Sequence, residues 1–207
     1  KNTGIGAARI AQIMENELIR TGEATNTAMF KIAGYSEALA EDTGLSLKLI
    51  QDSTSKVIAN MQQFGHVTVE EAQRISVQIQ QLGMKYETFE SLASKFQNFS
   101  TSVSAAGDIS QLTGGAVQLD AQELSYLASE DQDAFLRELR SSFLDQGFDK
   151  EQFLALTNAE QRTIAESMGM QRNEFAMMID RERDISSQAE LDAVMKGAED
   201  ANMTTEA

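Results

Sequence analysis

The chain has 207 residues, 17 of them basic and 32 acidic, for a formal net charge of −15. That balance argues against sequence-specific or tight nucleic-acid binding, which needs clustered Lys and Arg, and against docking on anionic lipid. The absence of cysteine excludes disulfides, thiolate metal sites and cysteine nucleophiles, while the absence of proline permits long unkinked helices.

Residues 1–6 read as a loose lead-in. Ile10, Ile13, Met14 and Leu18 then mark a short helix ending near Thr21 and Gly22. Lys1 opens the chain without an initiator Met, so a longer parent protein is expected. A second helix is expected over roughly 25–41, with Met29, Ile32, Ala33 and Leu39 on its apolar side. Gly34 inside it costs about 1 kcal/mol relative to alanine, and Gly44 separates it from the next helix.

Residues 45–64 form the strongest long helix. Leu47, Ile50, Thr54, Val57, Met61 and Phe64 are spaced as a heptad seam with Thr54 as its one polar member, and Ile58 widens the stripe. Two arrangements fit: a coiled coil with other copies of the chain or with a partner, or an antiparallel hairpin within one chain. In the hairpin the partner is the next helix. Thr68 caps it with Glu71 at the third position, and Ala72, Ile75, Ile79 and Leu82 face inward. Gly65 and His66 form the turn, and Gly83 stops the second arm.

Tyr86, Phe89, Leu92, Ala93 and Phe96 mark a further helix. A small-residue segment follows, with a short helix around 102–112 broken at Gly114 and Gly115. Residues 120–179 read as four short helices. Ser129 with Gln132, and Thr157 with Glu160, form capping-box patterns. Phe135, Leu136, Leu139, Phe143 and Leu144 share a face before Gly147. Ile164, Ala165 and Met168 share another before Gly169, and Phe175, Met178 and Ile179 a third. The run 180–184 reads as solvated. Ser187 with Glu190 starts a last helix carrying Leu191, Val194 and Met195, and the end 201–207 is expected to fray or to continue into a longer chain.

The expected fold class is therefore all-α, a series of short helices and helical hairpins with a short coiled-coil seam and no sheet. Its segments are a lead-in (1–44), a hairpin with the heptad seam (45–82), a helix and small-residue connector (83–118), a compact short-helix domain (119–182) and a C-terminal helix and tail (183–207). No apolar run approaches membrane-spanning length. One internal echo appears: residues 83–89 read GMKYETF and residues 169–175 read GMQRNEF, with AQR at 72–74 and EQR at 160–162 upstream. It reads as reuse of a helix-turn-helix hairpin.

Signals for chemistry are weak. GIGAAR at 4–9 lacks the third glycine and the flanking strand of a dinucleotide loop. His66 is the only histidine, so no multi-histidine metal site exists in this chain. Glu130, Asp131 and Asp133, and Asp145, Asp149 and Glu151, lack the glycine-centred spacing of a calcium loop; favourable charge at helix starts explains them better. The ten methionines suit either a binding groove or the cores of short helices, and the cores are the expectation. No catalytic, cofactor-binding or metal residues are assigned, and no cofactor is expected.

The order GMKYETF at 83–89, LASKFQNF at 92–99, AAGDISQLTGG at 105–115, LDAQELSYLASEDQDAFLRELRSSFLDQG at 119–147 and TNAEQRTIAESMGM at 157–170 resembles a segment of the tail tape measure proteins of tailed bacteriophages. Members of that family have a small-residue stretch before a Leu- or Met-rich helix. An acidic turn, an arginine-bearing helix ending in glycine and a short helix closing at Leu/Met-Gly follow. The match covers about half the chain, and residues 1–82 share only helical character. The very long helical rod of the family is not present here.

The resemblance implies a structural virion protein rather than an enzyme, lying in or at the tip of the tail tube. It would act in tail length determination, tail assembly and genome ejection, with a homotrimeric state and with tail tip or baseplate hub proteins and the tail tube protein as partners. The alternatives are a cell-wall-degrading module attached to a tail protein, or a helical protein-interaction adaptor.

Overall fold

The computed structural model describes residues 25–60 and 67–205, with side chains from 31 to 60 and from 67 to 201. The expectations for 1–22, Met29, Met61, Phe64, the turn at Gly65 and His66, and the glycine loop at 4–9 lie outside those residues. Among the described residues the chain is all-α, with eleven helices and no strand: α1 Thr25–Thr43, α2 Leu47–Ala59, α3 Val69–Gln81, α4 Tyr86–Gln97, α5 Phe99–Leu112, α6 Ala121–Glu130, α7 Gln132–Leu144, α8 Lys150–Ala155, α9 Asn158–Ser167, α10 Arg172–Met178 and α11 Gln188–Thr205. They sort into two compact units. One draws on the described residues up to Gln80 and from Ser186 onward, and the other spans Gln81–Ile185. The expected segments 83–118 and 119–182 thus share one unit, because α4 and α5 pack on α6 and α5 on α9. The C-terminal helix groups with the first unit.

In the first unit α11 packs on α1, and α1 on α2. Tyr35, Leu39, Ile50, Val77, Leu191 and Met195 form a common core, with Leu45 and Val194 at its edge. Three residues of the heptad seam, Ile50, Thr54 and Val57, are buried within a single chain. Leu47, at the N-terminal end of the seam, is 37% exposed, and Leu49 beside it 54%. The starts of α2, α3 and α11 each satisfy an orphan amide locally. Ser46 accepts from Leu49 N at 3.4 Å. Thr68 and Glu71 close the expected box at 2.7 and 3.1 Å. Ser187 and Glu190 do the same at 2.7 and 3.3 Å. The last helix runs to Thr205.

The helix α3 is buried on more than its apolar face. Ala72, Ile75, Ile79 and Leu82 are inward as expected, but Gln73, Ser76 and Gln78 are buried too. Gln73 Nε2 donates to the Ile32 carbonyl at 3.0 Å and to Ser36 Oγ at 3.2 Å. Arg74 pairs with Asp192 of α11 at 2.6 Å. Most buried polar groups are paired in this way, although Gln73 Oε1 meets no hydrogen-bond donor among the described residues.

The second unit is organised on aromatic pairs. Phe143 of α7 meets Phe175 of α10 edge-on at 5.2 Å, and Phe153 of α8 meets Phe175 at 4.8 Å. Phe96 of α4 lies 5.5 Å from Phe135 of α7. Such tilted and edge-on pairs add to the burial of the rings. Residues 120–179 hold five helices rather than four. The expected cap at Ser129 is a correction: α6 runs on through Glu130, and Ser129 Oγ donates to the Ser125 carbonyl inside it at 3.0 Å. The cap of α7 is Asp131, which accepts from Ala134 N at 2.9 Å. Thr157 and Glu160 form the expected box on α9. The small-residue helix starts earlier than expected, at Phe99, because Asn98 caps it through Ser100 N and Thr101 N.

Candidate functional site

The echoed sequences build one place in the second unit. Gly83 and Gly169 both adopt left-handed backbone, with φ of 65° and 71°, and each ends a helix as a C-terminal glycine does. Met84 and Met170 turn inward after them, and Phe89 and Phe175 are fully buried on the helices that follow. Those helices, α4 and α10, bring their N-termini together.

A single buried carboxylate joins them. Glu174 is 3% exposed. Its Oε2 accepts from Gln171 N at 3.2 Å, serving the start of its own helix. Its Oε1 accepts from Thr88 Oγ1 at 2.9 Å and from Lys85 N at 3.4 Å, serving the start of α4. The positive ends of two helix dipoles therefore face one acid, which is where an anion is favoured. The echo was visible in the sequence, but the pairing of its halves was not. The one hint is that the third helical position carries Glu in one copy and Thr in the other.

Around this point cations tie down free carbonyls. Lys95 Nζ donates to the Ser167 carbonyl at the end of α9. Arg183 Nη1 donates to the Gln81 carbonyl at 2.7 Å. Arg140 reaches the carbonyls of Met178 at 3.0 Å and Asp180 at 2.7 Å. Burial pulls its guanidinium below the ordinary arginine range, with Asp180 acting against that pull. The run 180–184, expected to be merely solvated, is thus a fastened loop. Lys150 holds Asp180 at 2.7 Å, and Arg181 holds Asp149 at 2.9 Å.

Four of the six acids of the two clusters sit at helix starts, whereas Glu130 ends α6 and Asp145 is the C-cap of α7. Asp131 and Asp149 are N-caps, Glu151 sits in the first turn of α8, and buried Asp133 pairs with Arg137 one turn on. Met84, Met168, Met170, Met178 and Met195 are buried in cores, and Met177 lies against Gly83. His66 and the 4–9 loop lie outside the described residues. Among the described residues no group of three acids or imidazoles converges as metal ligands, and no helix is long and apolar enough to cross a membrane. The chemistry available at the paired turns is hydrogen bonding that holds backbone in place. The chain matches no family model, no curated protein and no solved structure.

Proposed function

We propose that this chain is an ordered, non-catalytic segment of a phage tail tape measure protein, lying in or at the tip of the tail tube. It would act there in tail length determination, tail assembly and genome ejection. The reading rests on the resemblance over residues 83–179. One observation supports it: turn residues that carry the resemblance fall where helices of this unit end or begin. The two Gly-Met turns, the acidic turn at Asp131 and the glycine stop at Gly147 all fall at helix ends.

In this reading the partners are tail tip or baseplate hub proteins and the tail tube protein, with three copies around the tail axis. The threefold contact would use a surface other than Ile50, Thr54 and Val57, which their own chain buries.

Peptide mass spectrometry and antibody labelling of purified tailed particles test the proposal. The chain is expected in the particle, with label at the tail, and in-frame lengthening of its parent gene should lengthen the tail. Absence from intact particles would overturn the reading. Murein hydrolysis by the purified chain, lost on replacing one Glu, would favour a wall-degrading module instead.

A further inference from the structure

Gly83 and Gly169 lie 86 positions apart, and the same offset takes Met84 to Met170, Lys85 to Gln171, Thr88 to Glu174 and Phe89 to Phe175. The contacts between the halves obey that offset. A Cβ placed on Gly83 would meet Met177 Sδ at 2.7 Å, and one placed on Gly169 would meet Ser91 Oγ at 3.2 Å. Ser91 and Met177 are themselves 86 apart. Lys95 caps the Ser167 carbonyl, and Arg183 caps that of Gln81, again 86 residues earlier, although the two cations differ by two positions from the offset. Thr88 meets Glu174, its own counterpart, at 2.9 Å. A position contacts its counterpart only at or beside a twofold axis.

We propose that the two Gly-Met turns form a pseudo-twofold clasp, a conformational latch closed by one carboxylate that either half can carry. Each half presents a helix start whose first amides lack partners. The axis has room for one acid: a second carboxylate opposite the first would bring like charges together in a buried place. Glu174 satisfies Gln171 N on its own helix and Lys85 N on the other. By the twofold relation, a glutamate at position 88 would satisfy Lys85 N on its own helix and reach Gln171 N across the axis. The carboxylate therefore belongs to the pair, and its loss releases both helix starts together. This inference is independent of the tail reading.

Amide hydrogen exchange of the whole chain tests it, read at Lys85 and Gln171 in Glu174→Thr, Thr88→Glu and the double variant that exchanges the two residues. Each single variant should speed exchange at both amides by about tenfold or more, as expected for loss of a hydrogen bond to a charged group. The double variant should return both to within about threefold of the parent, a coupling that independent sites do not show. If Glu174→Thr does not fold, Glu174→Gln takes its place, and adding Thr88→Glu to it should slow exchange at both amides. A double variant that exchanges as fast as the faster single, or a Glu174 variant that loosens Gln171 but not Lys85, would overturn the proposal.

Discussion

Thr54 Oγ1 donates to Ser76 Oγ at 3.1 Å, and Ser76 Oγ donates onward to the Ala72 carbonyl at 2.6 Å, so α2 is joined to α3 by a buried relay. The polar member of the heptad seam thus finds its partner 22 residues along the same chain. With Ile50 fully buried beside Tyr35, Leu39 and Val77, the seam is part of a single-chain core. Ile50→Ala should cost about 2–5 kcal/mol. The unfolding midpoint of parent and variant should be independent of protein concentration, since only self-association carries that dependence. A midpoint that climbs with concentration would show the seam serving an interface between copies.

Phe135 and Leu139 are fully buried on α7. Phe135→Ala should cost about 3–5 kcal/mol and Leu139→Ala about 2–5 kcal/mol in denaturant unfolding, through lost burial and the cavity left behind. Leu154 is 54% exposed on α8, and Leu154→Ala should stay within about 0.5 kcal/mol. Equal effects at the three positions would contradict the placement of the core.

The cap of α7 separates two neighbouring candidates. Asp131→Ala should cost about 0.5–2 kcal/mol, because Ala134 N loses its acceptor. Ser129→Ala should change stability by less than about 0.5 kcal/mol, since its hydroxyl only returns to the carbonyl of Ser125. The reverse order in thermal or urea unfolding would restore Ser129 as the cap.

Gly83 and Gly147 differ in surroundings but share backbone, with φ of 65° and 76°. A side chain at either costs about 1–2 kcal/mol for left-handed backbone. At Gly147 it enters open space, whereas at Gly83 it strikes Met177 Sδ. Gly83→Ala should therefore be worse than Gly147→Ala by about 1 kcal/mol or more. On a Met177→Ala background that excess should vanish while the backbone cost stays. Persistence of the full difference would mean the clash is not its cause.

Among the carboxyls held below their ordinary range are Glu160, through hydrogen bonds from the hydroxyl and amide of Thr157, Asp180, chiefly through Lys150, and Glu190, through the amide and hydroxyl of Ser187. A carboxyl depressed in the folded state contributes stability that is present above its unfolded value and lost as pH falls through the folded value. The urea midpoint should therefore be flat from neutrality to about pH 5 and fall below about pH 4. Replacing the three by Gln, Asn and Gln should make that acid limb shallower. An unchanged limb would locate the acid sensitivity elsewhere.

Local chemistry was enough to determine the helices and several of their ends. Thr68 with Glu71, Thr157 with Glu160 and Ser187 with Glu190 each form their box within three residues, so pattern and outcome coincide. The same holds for Gly83, Gly147 and Gly169 as left-handed stops, and for the apolar faces of α4, α7 and α9, whose periodicity lies within one helix. What needed the tertiary structure were choices between equally good local options or partners far along the chain. Both Ser129 and Asp131 suit a cap, and Asp131 prevails because α6 extends through Glu130. The seam at Ile50 and Val57 would pack on any apolar partner, and the helices of its own unit occupy it. Gln73, Ser76 and Glu174 carry no apolar signal in the sequence; they are buried because acceptors or donors on other helices meet them. No spacing rule within one helix encodes a hydrogen bond from Thr88 to Glu174, since that contact exists only once α4 and α10 have been folded side by side.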